Sequence, residues 1–171
     1  MMFDNVRLVR ETFPDKPLLF TEGTPDSFKA DDIHNWRLGE YYGRSMINDF
    51  NDGAVGWTDW NVLLDERGGP NHVGNYCFAP VHADTTTGEL TYTNSYHYIG
   101  HFSKFVRPGA RRVVSSPSRS ALLSAAFVNP DGRVSVVVMN PGEKQVSYYL
   151  WVAGNAAEVV SLPHSIQTLV F

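Results

Sequence analysis

A chain of 171 residues, 43% of them hydrophobic, is long enough to form one compact domain or two small ones around an apolar core. Its net charge of −4, with no cluster of Lys and Arg denser than Arg107–Arg112, argues against a nucleic-acid partner. No apolar run reaches the roughly 20 residues that span a bilayer, so no transmembrane segment is predicted, and the single cysteine, Cys77, predicts a free buried thiol.

The first predicted elements are a helix end and a short strand. Residues 4–13 carry apolar side chains among charges, which predicts a helix that stops at Phe13-Pro14. The apolar run over residues 17–23 predicts a strand that places Leu18, Phe20 and Glu22 on one face. Glu22 would then end an apolar row instead of lying on a solvated surface, which indicates either a functional carboxylate or a structural acid with its own partners.

A helix and a second strand come next. Residues 34–50 repeat apolar and small side chains at a helical period, and Asp31 or Asp32 is expected to cap this helix. After a turn at Asn51-Asp52-Gly53, residues 54–61 predict a strand that ends in polar groups flanked by two tryptophans. Strand, helix and strand form a βαβ unit, whose strands we expect to be parallel with a right-handed crossover.

The segment 62–93 is irregular and too long for a simple connection. A loop of this length carries function or folds into its own small sheet. Beyond it, residues 96–106 predict a helix that is capped by Asn94 or Ser95 and ended by Pro108-Gly109. The helical part of the chain is expected to end there.

The pattern changes to β structure near Arg107, where the excess of acidic over basic residues also reverses. Short apolar runs alternate with turns rich in Asn, Pro and Gly, which is typical of an antiparallel sandwich. The predicted strands are residues 121–128, 134–139, 146–152, 158–162 and 166–171. We therefore expect two architectures that meet near residue 108.

Several common catalytic patterns are missing from the sequence. Gly68-Gly69-Pro70 lacks the spacing and the following Lys of a phosphate-binding loop, and no serine lies in a Gly-x-Ser-x-Gly context. His97 and His101 have the spacing of metal ligands, but no Glu follows His97 and no third ligand is near, which favours packing or capping roles. We expect no cofactor and no metal.

What remains is a carboxylate site among aromatic rings. Five side chains lie at the ends of the two predicted strands, where they can converge: Glu22, Trp57, Asp59, Trp60 and Asn61. A sugar has an apolar face that stacks on indole and a rim of hydroxyls that pair with carboxylates and amides. Retaining glycoside hydrolysis also needs two carboxyl groups about 5 Å apart. The pattern therefore favours a carbohydrate site.

Four segments of the sequence resemble those of a known protein family in their residues, their order and their spacing. They are Leu19-Phe20-Thr21-Glu22, Gly56-Trp57-Thr58-Asp59-Trp60-Asn61, Gly68-Gly69-Pro70-Asn71 and His101-Phe102-Ser103-Lys104-Phe105. Together they resemble the C-terminal part of a glucosylceramidase-type enzyme of glycoside hydrolase family 30. The second and third segments are a specific pair, and the likeness runs through essentially the whole chain.

The resemblance implies a fold and an activity. The family joins a (β/α)8 TIM barrel to an antiparallel β-sandwich domain, an α/β plus all-β fold class, and cleaves β-glycosides with retention. Residues 1–107 would be the C-terminal part of the barrel, strands seven and eight, with the irregular insert 62–93. Residues 108–171 would form the sandwich.

The resemblance also implies roles for single residues. Glu22 is the counterpart of the nucleophile at the end of barrel strand seven. Trp60 takes the position that lines the pocket of the terminal sugar, Asp59 is a hydroxyl partner, and Asn75 lies on a bordering loop. The substrate-binding residues implied are Trp57, Asp59, Trp60, Asn61 and Asn75.

The sequence departs from the family at the general acid. In the family this residue is a glutamate in an Asn-Glu pair, and no Asn-Glu pair occurs in the 171 residues. General acid catalysis contributes about 10² to 10⁴-fold, so we expect the chain alone to be inactive. The remainder of the barrel, in the same parent chain or in a second chain, is the expected partner, and a carbohydrate or glycolipid is the expected substrate.

Other interpretations stay open. The sandwich from Arg111 onward can be a non-catalytic module that binds a carbohydrate or a partner. Within the family, the parent enzyme can be a β-1,6-glucanase or a xylanase instead of a glucosylceramidase. The sequence does not indicate the compartment, although a secreted or periplasmic parent enzyme is expected.

Overall fold

The computed structural model describes residues 3–118 and 120–171, which divide into two compact units, Met1–Gly100 and His101–Phe171. The first unit contains the helices α1 (Phe3–Thr12), α2 (Trp36–Asn51) and α3 (Asn94–Ser103, which runs into the second unit) and the strands β1 (Leu18–Phe20), β2 (Ala54–Trp57), β3 (Leu63–Asp65), β4 (Val81–Ala83) and β5 (Leu90–Tyr92). The second unit contains β6 (Arg111–Val113), β7 (Leu123–Val128), β8 (Val134–Asn140), β9 (Val146–Val152), β10 (Asn155–Ser161) and β11 (Ser165–Val170). None of the described helices is both long and apolar enough to cross a bilayer.

Strands β1 and β2 pair in parallel, with Phe20 opposite Trp57, and α2 connects them. The predicted parallel βαβ unit is therefore confirmed. Both strands are shorter than the sequence suggested, because β1 ends at Phe20 and β2 at Trp57. As a result Glu22 and Asp59 each lie two residues beyond the last strand residue, in the loops at the carboxyl end of the pair.

Helix α2 begins later than predicted, and its cap is a different residue. The side chain of Asn35 accepts the backbone N–H of Arg37 at 3.0 Å, which makes Asn35 the N-cap. The expectation of a cap at Asp31 or Asp32 was wrong, because both residues lie in a separate 3-10 turn, Ala30–Asp32, that ends before the helix.

The buried face of α2 carries apolar side chains and also polar ones, among them Tyr42 and Asp49. Leu38, Met46 and Ile47 are buried, as the helical period predicts. Tyr42 and Asp49 lie on the same buried side, seven residues apart, which is close to two helical turns. A hydroxyl and a carboxylate in this position need partners. Tyr42 finds Asp59 in the loop after β2, and Asp49 finds Trp57, the last residue of β2.

The insert 62–93 folds into its own small sheet, one of the two outcomes that the sequence left open. Its strand order is β3-β4-β5, with β3 parallel to β4 and β4 antiparallel to β5. Leu64, Cys77 and Ala79 form its core, and Cys77 is a buried free cysteine as predicted.

Helix α3 starts and ends earlier than the predicted range 96–106. It begins at Asn94, whose amide donates to the carbonyl of His34 at 2.7 Å, so that this side chain ties the helix start to the chain before α2. The hydroxyl of Ser95 pairs with that of Thr93 at 2.7 Å. Neither side chain makes the backbone cap that was expected of it.

The second unit is an antiparallel sandwich with sheets of four strands, β11-β8-β7-β6, and two strands, β10-β9. Its core lies between the sheets, around Leu122, Ala126, Val136 and Val138. Residues of β9 alternate between half-buried and exposed, and the half-buried ones pack on this core. Strand β6 was not predicted, because three residues beginning Arg-Arg give no apolar pattern.

Candidate active site

The loops that follow β1 and β2 are joined by hydrogen bonds. The backbone N–H and the hydroxyl of Thr58 both donate to the carbonyl of Phe20, at 2.9 and 2.7 Å. The backbone N–H of Trp60 donates to the carbonyl of Gly23 at 3.0 Å. These bonds extend the pairing of the two strands past their ends, so that Glu22 is held in a loop attached to the segment Trp57–Trp60.

The carboxylate of Glu22 is exposed, and no group in residues 3–118 or 120–171 donates a hydrogen bond to it. The expectation that it would end a buried apolar row was wrong, because the strand stops at Phe20 and the chain leaves the sheet before Glu22. A structural acid would have donors of its own. The absence of donors within the described chain counts against that interpretation and leaves the carboxylate available.

The ring of Trp57 lies beneath this loop. It stacks on Phe20 with centroids 4.7 Å apart and planes inclined by 8°, and it meets the edge of Tyr42 at 5.5 Å. Its indole N–H donates to Asp49 at 3.1 Å. A Cβ at Gly23 would come within 2.7 Å of the indole, so the backbone next to Glu22 rests directly on the ring. These are the contacts of a packing residue, and substrate contact by Trp57 stays a prediction.

Asp59 is the most perturbed acid of the site. Its Oδ1 accepts the hydroxyl of Tyr42 at 2.9 Å, whereas its Oδ2 is buried and has no partner in the part of the chain that the structure describes. Burial raises the pKa of Asp59 to about 6, although the donors Tyr42 and the backbone of Trp60 act in the opposite direction. The carboxylate therefore retains one open acceptor in a place with little water.

The remaining predicted residues are less closely defined. Trp60 exposes part of its ring, 38% of the residue surface, and Asn61 is half-buried. Both follow Asp59 in the same loop, so they lie at the same end of the strand pair as Glu22.

Asn75 lies in an exposed loop that the side chain of Asn71 holds through the backbone N–H groups of Val73 and Asn75, at 2.9 and 3.1 Å. The next residues pair with the chain that follows Glu22, since the N–H of Phe78 donates to the carbonyl of Pro25 at 2.9 Å. The insert is thereby attached to the Glu22 loop.

Electrostatics place Glu22 near this insert as well. Burial raises the pKa of the Cys77 thiol, and the carboxylates of Asp26 and Glu22 raise it further. Backbone hydrogen bonds therefore connect the Glu22 loop both to the segment that carries Asp59 and Trp60 and to the insert that carries Asn75.

Sequence reasoning missed Tyr42 and Asp49. Both were hidden in the helical pattern as ordinary members of α2, yet each pairs with a residue of the Trp-Thr-Asp-Trp-Asn segment. A usable signal was present, because a tyrosine and an aspartate on the buried face of an amphipathic helix need polar partners.

Metal-ligating side chains do not gather in the described ranges, where no group of three His, Cys, Asp or Glu residues could hold an ion. His101 instead contacts the hydroxyl of Thr168 at 2.9 Å through Nδ1. His97 packs against the ring of Tyr96.

The two architectures define a class, that of chains in which part of an α/β barrel is followed by an antiparallel sandwich. Family models match both parts. The Glycosyl hydrolase family 30 TIM-barrel domain matches residues 4–106, and the Glycosyl hydrolase family 30 beta sandwich domain matches residues 109–169. The chain belongs to glycosyl hydrolase family 30, which confirms the family and the fold class predicted from the sequence.

Individual relatives agree with this assignment. The chain is 36% identical over 137 residues to Putative glucosylceramidase 4 of Caenorhabditis elegans, covering 78% of this chain and 26% of that protein. It is 36% identical over 115 residues to Lysosomal acid glucosylceramidase of Mus musculus, covering 67% of this chain and 22% of that protein.

Among solved structures, SrfJ from Salmonella typhimurium superposes with a TM-score of 0.94 at 36% identity, over 99% of this chain and 38% of that one. The chain thus spans about a quarter of the length of these two curated relatives and 38% of SrfJ.

Proposed function

We propose that the protein containing this chain is a retaining β-glycosidase of the glucosylceramidase type, and that Glu22 is its nucleophile. The observation that carries the proposal is the state of the Glu22 carboxylate, which is exposed and without donors in the described residues, at the carboxyl end of a parallel strand pair. Active sites of barrel enzymes form at this end of the strands.

In the proposed reaction Glu22 attacks the anomeric carbon and the bond to the leaving oxygen breaks, which gives a glycosyl ester on Glu22. The leaving oxygen takes a proton from a general acid. Water then gives a proton to the same acid/base group and attacks the anomeric carbon. The bond from that carbon to Glu22 breaks, which regenerates the carboxylate and releases the sugar with the original configuration.

The residues around Glu22 have roles that follow from their contacts. The open Oδ2 of Asp59 would accept a sugar hydroxyl, and the exposed ring of Trp60 offers a face for stacking. Asn61 and Asn75 would contribute amides to the rim. The proposed role of Trp57 is to support the backbone at Gly23 more than to stack on the sugar, because both its ring and its N–H already have partners.

The general acid is expected to lie outside these 171 residues, which contain no Asn-Glu pair. We therefore propose that the isolated chain does not hydrolyse glycosides. Hydrolysis of an aryl β-glucoside by the purified 171-residue chain, lost in Glu22→Gln, would contradict this.

The test of the nucleophile uses the native protein and a 2-deoxy-2-fluoro β-glucoside, which forms a slowly hydrolysed ester with a retaining nucleophile. Mass spectrometry of the digested protein should find the label on the peptide that contains Glu22, and Glu22→Gln should abolish both labelling and hydrolysis. Glu89→Gln, a change of the same kind at an exposed loop position, is the matched control and should retain both. A label on another carboxyl group, or an active Glu22→Gln variant, would overturn the proposal.

The substrate within this proposal is a β-glucoside with a lipid aglycone, with β-1,6-glucan and xylan as the family alternatives. Product analysis on glucosylceramide, β-1,6-glucan and xylan separates them. The proposal requires hydrolysis of glucosylceramide at a higher kcat/KM than hydrolysis of either polysaccharide.

A second candidate function is carbohydrate binding by the sandwich, and one observation favours it. Tyr149 and Trp151 are 63% and 70% exposed on the same face of β9, and Glu158 is paired with Tyr149 on β10. Two exposed rings beside a carboxylate can stack on a sugar chain and pair with its hydroxyls. Trp151→Ala should then weaken retention of the native protein on insoluble β-glucan and leave hydrolysis of a small aryl glucoside unchanged. Equal retention of both proteins would remove this candidate.

A further inference from the structure

We propose that Tyr42 is a positioning residue for the sugar site, because its hydroxyl fixes the carboxylate of Asp59 so that Oδ2 alone is presented to a substrate hydroxyl. This inference rests on the proposed function and adds to it a residue of α2 that the family segments do not include. The observations that carry it are the bond from Tyr42 to Oδ1, at 2.9 Å, and the buried, unpartnered Oδ2 on the same carboxylate.

Tyr42 is itself firmly held. Only 1% of its surface is exposed, and its ring meets the rings of Trp57 and Tyr41 edge-on, each with centroids 5.5 Å apart. Burial and the neighbouring Asp59 raise the pKa of its phenol above the ordinary range, so the hydroxyl keeps its proton and acts as a donor. A fixed ring with a permanent donor holds Oδ1 in one place.

The bond to Oδ1 determines what the other oxygen can do. A carboxylate is planar, so fixing one oxygen and the Cβ leaves a single position for the other. A carboxylate with both oxygens free could bind a vicinal diol in a bidentate manner, whereas this one presents only Oδ2 as an unpartnered oxygen. Tyr42 therefore converts a symmetric acceptor into a directional one.

The open oxygen needs a donor. A buried carboxylate oxygen without a partner is unfavourable, and no described residue supplies the hydrogen bond. A sugar hydroxyl is a donor of the right kind, and Asp59 lies in the loop attached to that of Glu22. Binding would relieve the unsatisfied group and at the same time place the sugar ring relative to the nucleophile.

The other titratable groups near the pair are few. Burial raises the pKa of Tyr41, and Asp59, Asp49 and Asp26 raise it further, so each of these carboxylates lies within electrostatic reach of Tyr41. Asp49 is already hydrogen-bonded to Trp57, and Asp26 is exposed. Of these acids, Asp59 is the one with an unpartnered buried oxygen.

The experiment compares Tyr42→Phe, which removes only the hydroxyl, with Tyr41→Phe as the matched control on the neighbouring ring. In the native protein, Tyr42→Phe should raise KM for an aryl β-glucoside about tenfold, as expected for losing the orientation of a charged acceptor, with a smaller change in kcat. The acidic limb of the kcat/KM profile should move to higher pH, because the lost donor had lowered the pKa of Asp59. Tyr41→Phe should change neither.

Deoxy substrates give the decisive comparison. The native protein should discriminate against the monodeoxy β-glucoside that lacks the bound hydroxyl, and Tyr42→Phe and Asp59→Asn should lose the same discrimination, with no further loss in the double variant. An unchanged KM and pH limb in Tyr42→Phe would overturn the inference. So would a fall in melting temperature and kcat alone, since that is the result of a purely structural role.

Failure of the proposed function is separately visible. If the fluoroglucoside does not label Glu22 in the unmodified protein, the proposed function fails whatever Tyr42→Phe does. If Glu22 is labelled but Tyr42→Phe keeps its KM, pH profile and discrimination, the nucleophile assignment stands and only the role of Tyr42 is rejected.

Discussion

The indole N–H of Trp57 donates a hydrogen bond of 3.1 Å to Asp49, a carboxylate with only 4% of its surface exposed. This pair connects α2 to the end of β2, beneath the loop of Glu22. Asp49→Ala should lower the free energy of unfolding by about 1 to 3 kcal/mol, because it leaves a buried donor without an acceptor. Denaturant titration of the native protein and the variant measures the change.

Asp49→Asn is the informative counterpart of Asp49→Ala, since its carbonyl oxygen can still accept the indole N–H. Burial raises the pKa of Asp49, so the charged form is disfavoured in the folded state. Removal of the charge should leave the melting temperature at neutral pH unchanged or higher. A drop as large as that of Asp49→Ala would contradict this account.

Two glycines in helices should respond in opposite directions to alanine. A Cβ at Gly39 would run into the ring of the buried Tyr98, so Gly39→Ala should cost about 1 to 3 kcal/mol of stability through overpacking. At Gly100 a Cβ meets nothing within 4 Å, and Gly100→Ala should add about 0.5 to 1 kcal/mol through the smaller entropy loss of the helix. Calorimetric melting of the two variants tests the pair, and a shift of the same sign in both would be against it.

The raised pKa of Asp59, about 6, makes the stability of the fold depend on pH. The folded state binds more protons than the unfolded state between about pH 4 and 6, so the unfolding free energy contributed by Asp59 should fall as pH rises through this window. Asp59→Asn should remove this contribution to the slope of the unfolding free energy against pH. Urea titrations at several pH values from about 2 to 7, a range that includes the usual carboxyl pKa of about 4, give the measurement.

Asp84 supplies a control of opposite sign. Backbone N–H groups of Thr87 and Thr86 lower the pKa of Asp84, so its contribution is present above the unfolded pKa and lost as pH falls. Asp84→Asn should therefore alter the slope in the other direction from Asp59→Asn. The same slope change in both variants would mean that Asp59 is not the acid responsible.

A buried amide organises the sandwich. Asn140 has no exposed surface, and its amide donates to the carbonyls of Lys144, Ser161 and Leu162 at 2.9, 3.3 and 3.0 Å. Asn140→Asp replaces these donors by an oxygen, so it should lower the unfolding free energy by about 3 kcal/mol or more. Asn155→Asp, the same change at an exposed position, should stay within about 0.5 kcal/mol in the same denaturation experiment.

The elements that depend on local pattern could be predicted from the sequence. Apolar residues recur at a helical period in α2 and alternate in β9 because each element buries one face. The spacing of apolar residues along the chain therefore predicts both elements. Strand β6 was missed because it lacks such an apolar pattern, since Arg111–Val113 pairs with β7 mainly through its backbone. Backbone pairing leaves no mark on side-chain identity.

The sequence yielded candidate members of the site but not the contacts among them. The family segments indicated Glu22 and Asp59, but the burial of Glu22 was wrong, because nothing local marks where a three-residue strand gives way to a loop. The bonds from Tyr42 to Asp59 and from Trp57 to Asp49 join residues 17 and 8 positions apart, through the folding of α2 against the strand pair. Such pairs depend on tertiary packing, which sequence periodicity does not encode.

The hydrogen bonds from Thr58 and Trp60 to the carbonyls of Phe20 and Gly23 have a consequence for motion. These bonds join the loops after β1 and β2 at two points. Neither loop can therefore move independently on the nanosecond scale that is usual for free surface loops. Separation requires both backbone bonds to break together, which is a local unfolding event with its own free energy. Amide protons of Thr58 and Trp60 should therefore exchange with solvent at one common slow rate, and the surroundings of Glu22 would open as a unit.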